Sequence, residues 1–167
     1  MPRILFLHGL ESSPSGLKAR WLAEHYQAWT PALTTGDWSL ALAQARAGIQ
    51  EWKPDLLIGS SFGGALLLAL LLEGSWQGPC IFIAQAGVRL GVGQALPSGT
   101  RAILLHGTED AVVPLEGSRL LAASGGEGVE LWEIPGGDHR LEGCLMDGTL
   151  DRAIQRVLLM NLFQKEH

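Results

Sequence analysis

The sequence predicts an α/β fold in three layers: a mostly parallel sheet of about six strands with helices on both faces. Three observations carry this expectation. Short, continuous apolar runs alternate with helix-length segments along the chain, and a run that is apolar throughout suits a strand covered on both sides. At Gly59, Ser61 and Gly63 such a run passes through a tight turn straight into a long Ala/Leu segment. Finally, the loops bearing His8, Ser61, Asp110 and His139 all follow a strand run, and in open parallel sheets the binding crevice lies beyond those ends.

The elements follow in order. Ile4 to Leu7 is a strand that ends in the loop from His8 to Pro14. Ser15 or a neighbour caps the next helix, which carries Leu17, Trp21 and Leu22 on its buried side and fades near Gln27. Ala28 to Ala32 is the weakest strand, because Pro31 restricts it to an edge. Asp37 is an N-cap; Trp38, Leu42, Ala45, Ile49 and Trp52 recur at helical spacing, and Pro54 stops the helix. Leu56 to Gly59 is a strand, and a helix runs from Ser61 to about Glu73. Cys80 to Ala84 is a strand, and the segment from Gln85 to Gly99 holds at most one short helix. Arg101 to His106 is a strand, and Pro114 opens a helix to about Ala123. Val129 to Ile134 is the last strand. A final helix, about Thr149 to Phe163, buries Leu150, Ile154, Val157 and Leu158. Parallel strands require such crossovers, and right-handed ones put helices on both faces.

Length and composition narrow the classes. The 167 residues predict a single domain over residues 1–167 with a sizeable core. Hydrophobic residues at 47% against 17% charged exclude disorder. A net charge of −5 without basic runs predicts neither nucleic-acid nor membrane-surface partners. No apolar stretch is long enough to span a bilayer, and the start has no signal-peptide layout. Cys80 and Cys144, far apart in apolar surroundings, read as two reduced thiols of a cytoplasmic protein. No Cys/His cluster has metal-ligand spacing, so neither metal nor cofactor is expected. A monomer or homodimer is expected. The six tryptophans are assigned to the core.

Gly59-x-Ser61-x-Gly63 between strand and helix predicts a nucleophile. A serine on a strained strand-to-helix turn projects its hydroxyl into open space, and residues without a Cβ fit around so tight a bend. The helix that follows aims unpaired N–H groups at negative charge forming there. Serine needs a general base, and the base needs a group to orient it. His139 is chosen as base because its glycine-bearing loop follows the last strand. His8 and His106 are assigned to loop packing or turn-ordering hydrogen bonds; His25 within a helix and His167 at the terminus are set aside. Asp110 is chosen as the acid. Glu109 points differently, and Asp138 directly precedes His139 and cannot easily line up with its ring. Two backbone N–H donors would hold the oxyanion, from Phe62 and from Leu10, with Gly9 allowing close approach. Glu11 is assigned to solvent.

These segments, Phe6 to Pro14, Gly59 to Gly64, His106 to Pro114 and Gly137 to His139, resemble the α/β-hydrolase superfamily. The opening segment and short length are similar to compact bacterial serine esterases of the YqiA type. The resemblance implies that Ser61, Asp110 and His139 carry the triad and that the activity is hydrolysis of short-acyl esters. By the same comparison, the superfamily's first two strands are missing, and its helical cap shrinks to the loop from Gln85 to Gly99. That implies an open site for small or loosely held acyl groups. The expected function is therefore a serine carboxylesterase acting on a small-molecule ester through an acyl-enzyme. The alternatives are a thioesterase or acyltransferase with the same triad, and a non-catalytic binding protein on this fold.

Overall fold

A computed structural model describes residues 1–165, with side chains described through residue 160; His167 lies outside the described residues. Six strands form one sheet: β1 (Arg3–Leu7), β2 (Gln27–Trp29), β3 (Leu56–Ser60), β4 (Cys80–Ile83), β5 (Ala102–Gly107) and β6 (Val129–Ile134). Their order is β2-β1-β3-β4-β5-β6, and every pairing is parallel. The helices are α1 (Leu17–His25), α2 (Trp38–Trp52), α3 (Phe62–Leu72), α4 (Leu115–Ser124), α5 (Gly143–Met146) and α6 (Thr149–Lys165).

Strand periodicity sorts the core into two clusters. Ile4, Phe6, Leu56, Ile58, Ile81, Ile83, Ile103 and Leu105 face α1, α5 and α6. Their neighbours Leu5, Leu7, Leu57, Phe82, Ala102 and Leu104 face α2, α3 and α4. Alternate residues point to opposite faces, so continuous apolar runs were needed to fill both. The result is the expected three-layer arrangement. α3 is apolar all round because it is covered all round; Phe62 to Leu68 are buried along its first two turns.

The two edges differ from the centre. β2 is only three residues long and half exposed, and Pro31 follows it. β6 is half-buried along most of its length. Its Glu130 pairs with Arg156 and its Glu133 with Arg119, placing charge along the sheet margin.

Several local expectations change. α1 takes its N-cap from Gly16, the neighbour of Ser15, with no side-chain bond, and the Ser15 N–H donates to Ser13 Oγ. Leu17 is exposed and faces a cleft, leaving Ala19 and Leu22 as the buried face. Asp37 does cap α2, accepting from the Leu40 N–H at 3.0 Å. α5 was not foreseen, since four residues show no periodicity. All six tryptophans are half-buried, packing on the core's flanks. No described helix is long and apolar enough to cross a membrane.

Candidate active site

Ser61 stands between β3 and α3 at φ 55° and ψ −113°, a conformation sparsely populated by residues with a Cβ. Hydrogen bonds hold it there. Its N–H donates to Ile83 O at 2.9 Å, and its carbonyl accepts from Ala65 and Ala86 N–H at 3.1 and 3.0 Å. The strained torsion thus sits on the serine itself. The flanking glycines serve close approach. A Cβ on Gly63 would lie 1.9 Å from Leu7 O, and one on Gly59 would lie 2.4 Å from Gly63 O.

This turn brings Ser61 Oγ to 2.9 Å from His139 Nε2. The other ring nitrogen of His139, Nδ1, lies 2.9 Å from Asp110 Oδ2. The three residues come from the ends of β3, β5 and β6, and their side chains form one hydrogen-bonded line. With its proton on Nδ1, the imidazole donates to the carboxylate and offers Nε2 to the serine.

Asp110 is fully enclosed at its side chain. Burial pushes its carboxyl upward. The Val113 N–H, His139 and the Val112 N–H pull it down by more, so it lies below the usual carboxylate range. Oδ1 accepts from Val112 and Val113 at 2.9 and 2.8 Å, leaving Oδ2 for His139. Asp138 accepts from the Leu141 N–H at 3.0 Å and orders the turn beside His139. Glu109 is exposed. His25 bonds to its own helix and stacks on Trp21.

The loop after β1 closes the other side. His8 is buried, with Nδ1 2.9 Å from Gly9 O and Nε2 accepting from the Leu33 N–H at 3.1 Å. The Gly9 carbonyl is thereby pinned, and with it the plane of the Gly9–Leu10 peptide. Leu10 N–H and Phe62 N–H are engaged by no acceptor among the described residues. Gly9 is less constrained than expected: a Cβ there would meet Ser61 Cβ at 3.4 Å, an ordinary contact.

His106, set aside from the sequence as a loop histidine, is the residue whose contacts were underestimated. It is wholly buried, its Nε2 lies 2.9 Å from Val113 O and 3.2 Å from Asp110 Oδ2, and its Nδ1 lies 2.7 Å from Ser118 Oγ. The four-residue spacing of His106 and Asp110 across a strand end was the available signal.

No family model and no curated protein sequence matches this chain. Solved structures do. Est1E from Butyrivibrio proteoclasticus, with ferulic acid bound, aligns at a TM-score of 0.74 and 18% identity over 97% of this chain and 90% of that one. The chain has the α/β-hydrolase fold. Mouse alpha/beta hydrolase domain-containing protein 10 gives 0.68 and 19% over 93% and 90%. A monoacylglycerol lipase from Paleococcus ferrophilus gives 0.70 and 16% over 95% and 93%.

Within this α/β-hydrolase fold, Ser61 and His139 open onto a cleft of about 540 Å³. Gly9, Leu10, Leu17 and Val112 give it apolar surface; Glu11, Lys18, Arg140 and Glu142 give it charge of both signs. Burial, opposed by nearby Glu142, lowers the Lys18 ammonium from its ordinary value. Residues 84–100, between β4 and β5, form no helix, and none of them lines the cleft.

Proposed function

We propose that this protein is a serine carboxylesterase that hydrolyses short-acyl esters through an acyl-enzyme on Ser61. The observation that supports this most directly is the pair of 2.9 Å contacts that join Ser61 Oγ to His139 Nε2 and His139 Nδ1 to Asp110 Oδ2. The fold likeness to esterases and a lipase agrees with it.

In this reading Ser61 Oγ attacks the ester carbonyl while its proton passes to His139 Nε2. Asp110 keeps the imidazole in the useful tautomer and stabilises the cation that forms. The carbonyl oxygen becomes an oxyanion and takes hydrogen bonds from the Leu10 and Phe62 N–H groups. Losing one such donor typically costs about 3–4 kcal/mol of barrier. His139 then hands its proton to the departing alcohol. Water enters, gives a proton to His139, and attacks the acyl carbonyl; Ser61 leaves with that proton.

The unroofed cleft favours small or loosely held acyl groups, because long chains gain most from an enclosing apolar tunnel. The two free, buried cysteines agree with a cytoplasmic setting. A fluorophosphonate probe tests the reading, with Ser61→Ala as control, followed by aryl esters and thioesters of increasing chain length. Labelling of Ser61 and turnover falling beyond short acyl chains are expected. Labelling at another serine, or turnover only on long chains, would contradict it; preference for thioesters would move the assignment to a thioesterase.

A further inference from the structure

A buried polar chain runs behind the site, and its direction can be read from its ends. Gly87 N–H donates to Gln85 Oε1 at 2.7 Å, which fixes the orientation of that amide. Gln85 Nε2 therefore donates to Ser118 Oγ, at 3.0 Å. At the far end, His106 Nε2 faces two acceptors, Val113 O at 2.9 Å and Asp110 Oδ2 at 3.2 Å, so Nε2 carries the proton. Nδ1 is left to accept, and Ser118 O–H donates to it across 2.7 Å. Gln85, Ser118 and His106 are all at most 1% exposed, so the chain is closed off from bulk solvent.

From this chain we infer that His106 is a positioning residue, sharing the Asp110 Oδ2 charge with His139 and so setting how strongly Asp110 pulls on the base. The inference rests on the reading of Ser61, His139 and Asp110 as the working residues. Asp110 stays in place without His106, because Oδ1 keeps its two amide donors. His106 Nε2–H donates to Val113 O and lies 3.2 Å from Oδ2, so what changes is the positive end of an N–H dipole beside that oxygen. With His106 gone, that dipole no longer offsets the Oδ2 charge, and the carboxylate holds an imidazolium more tightly. The imidazolium form of His139 is then favoured relative to the parent, and less of the ring is free to take the Ser61 proton.

Other charges face these groups. Among the described residues, Oδ2 meets only His139, from the loop before α5, and His106, from β5. His139 shares the cleft with Glu11 from the loop after β1, Lys18 from α1, and Arg140 and Glu142 beyond it, with Asp138 preceding it. All of these stay unchanged in the variants below, so they cancel when variant and parent are compared.

The test is NMR titration of the His139 ring in the parent protein and in His106→Phe, His106→Gln and Ser118→Ala. Its assignment comes from His139→Gln. In His106→Phe the midpoint should rise by about half a pH unit or more. His106→Gln, which can present an N–H near the Nε2 position, should return most of that shift. Ser118→Ala, which removes the donor holding the ring's orientation, should move it the same way by less. Nitrogen-15 shifts of the parent protein should give His106 as the Nε2–H tautomer.

An Nδ1–H tautomer, or an unchanged or lowered midpoint in folded His106→Phe, overturns the inference. If His106→Phe does not fold, Ser118→Ala decides by the same criterion. The acid limb of kcat/KM on an aryl acetate should move with the NMR midpoint. Absence of any turnover would count against the esterase reading alone, because the titration needs no substrate.

Discussion

Gly63→Ala offers the sharpest test of how the fold holds Ser61. The added Cβ would lie 1.9 Å from Leu7 O, 2.5 Å from Leu7 C and 2.9 Å from His8 O, all backbone atoms of β1 and its loop. Real Cβ contacts below 3.0 Å are essentially absent, so α3 and β1 must part by at least about 1 Å. No flexible side chain lies in the way to yield. Overpacking of this kind costs about 1–3 kcal/mol or more, and here it falls between two elements at the centre of the core. The same displacement separates Ser61, at the head of α3, from the loop carrying Leu10. A misplacement of about 1 Å at a reacting centre costs on the order of 100-fold in rate. Urea unfolding should therefore show a loss of at least about 2 kcal/mol, and fluorophosphonate labelling should slow by at least about 100-fold. Gly9→Ala is the internal control. Its Cβ would make an ordinary 3.4 Å contact with Ser61, so stability should stay within about 1 kcal/mol of the parent. If Gly63→Ala matched Gly9→Ala in stability and labelling, the close-approach argument would fail.

Further outcomes follow from the same geometry. Asp110→Asn should lower kcat on an aryl ester by about 10⁴-fold and His139→Gln by about 10⁶-fold, with KM little changed. Because the folded Asp110 carboxyl lies below its unfolded value, its contribution to stability is present above about pH 4 and disappears as pH falls through the folded value. The urea-midpoint gap between parent and Asp110→Asn should therefore narrow from pH 7 to pH 3, and a gap that widened on acidification would contradict the assignment. Asp37→Ala should cost about 1 kcal/mol, since it removes the only side-chain cap of α2 among the described residues, as urea unfolding can check. Cys80 and Cys144 are both pushed up by burial, so an aromatic disulfide reagent should modify neither until the protein unfolds.

The sheet was legible because its strands are apolar on both faces, and a run such as Leu56 to Ile58 admits few other readings. The positions of Ser61, Asp110 and His139 were legible for a related reason. Each lies just past a strand, and parallel strands deliver their C-terminal ends to one rim. What escaped was tertiary. Nothing local marks residues 143–146 as a helical turn. Leu17 fits an apolar face by periodicity yet opens onto the cleft, because α1 meets the sheet through Ala19 and Leu22. His106 was assigned to loop packing or a turn-ordering hydrogen bond, and it does bond Val113 O; what stayed hidden was Ser118, which reaches it only when α4 folds back against β5.

The connection after β4 was expected to matter only as the remnant of a lid, and the structure assigns it different work. Ala84 adopts φ 48° and turns the chain inward, burying Gln85 and Ala86. The Ala86 N–H then reaches Ser61 O, while Ile83 O takes the Ser61 N–H. A torsion such as that of Ser61 costs about 1–3 kcal/mol and persists only where its surroundings over-determine it. These two bonds, from either side of Ala84, supply much of that determination. Gln85 continues from the same turn through Ser118 to His106, next to the acid. One short segment therefore braces the strained serine from behind and, two hydrogen bonds further on, reaches His106, which lies 3.2 Å from the Asp110 carboxylate. A site open to solvent in front depends on order built at its back, and residues 84–87 are where disruption should reach Ser61 and Asp110 together.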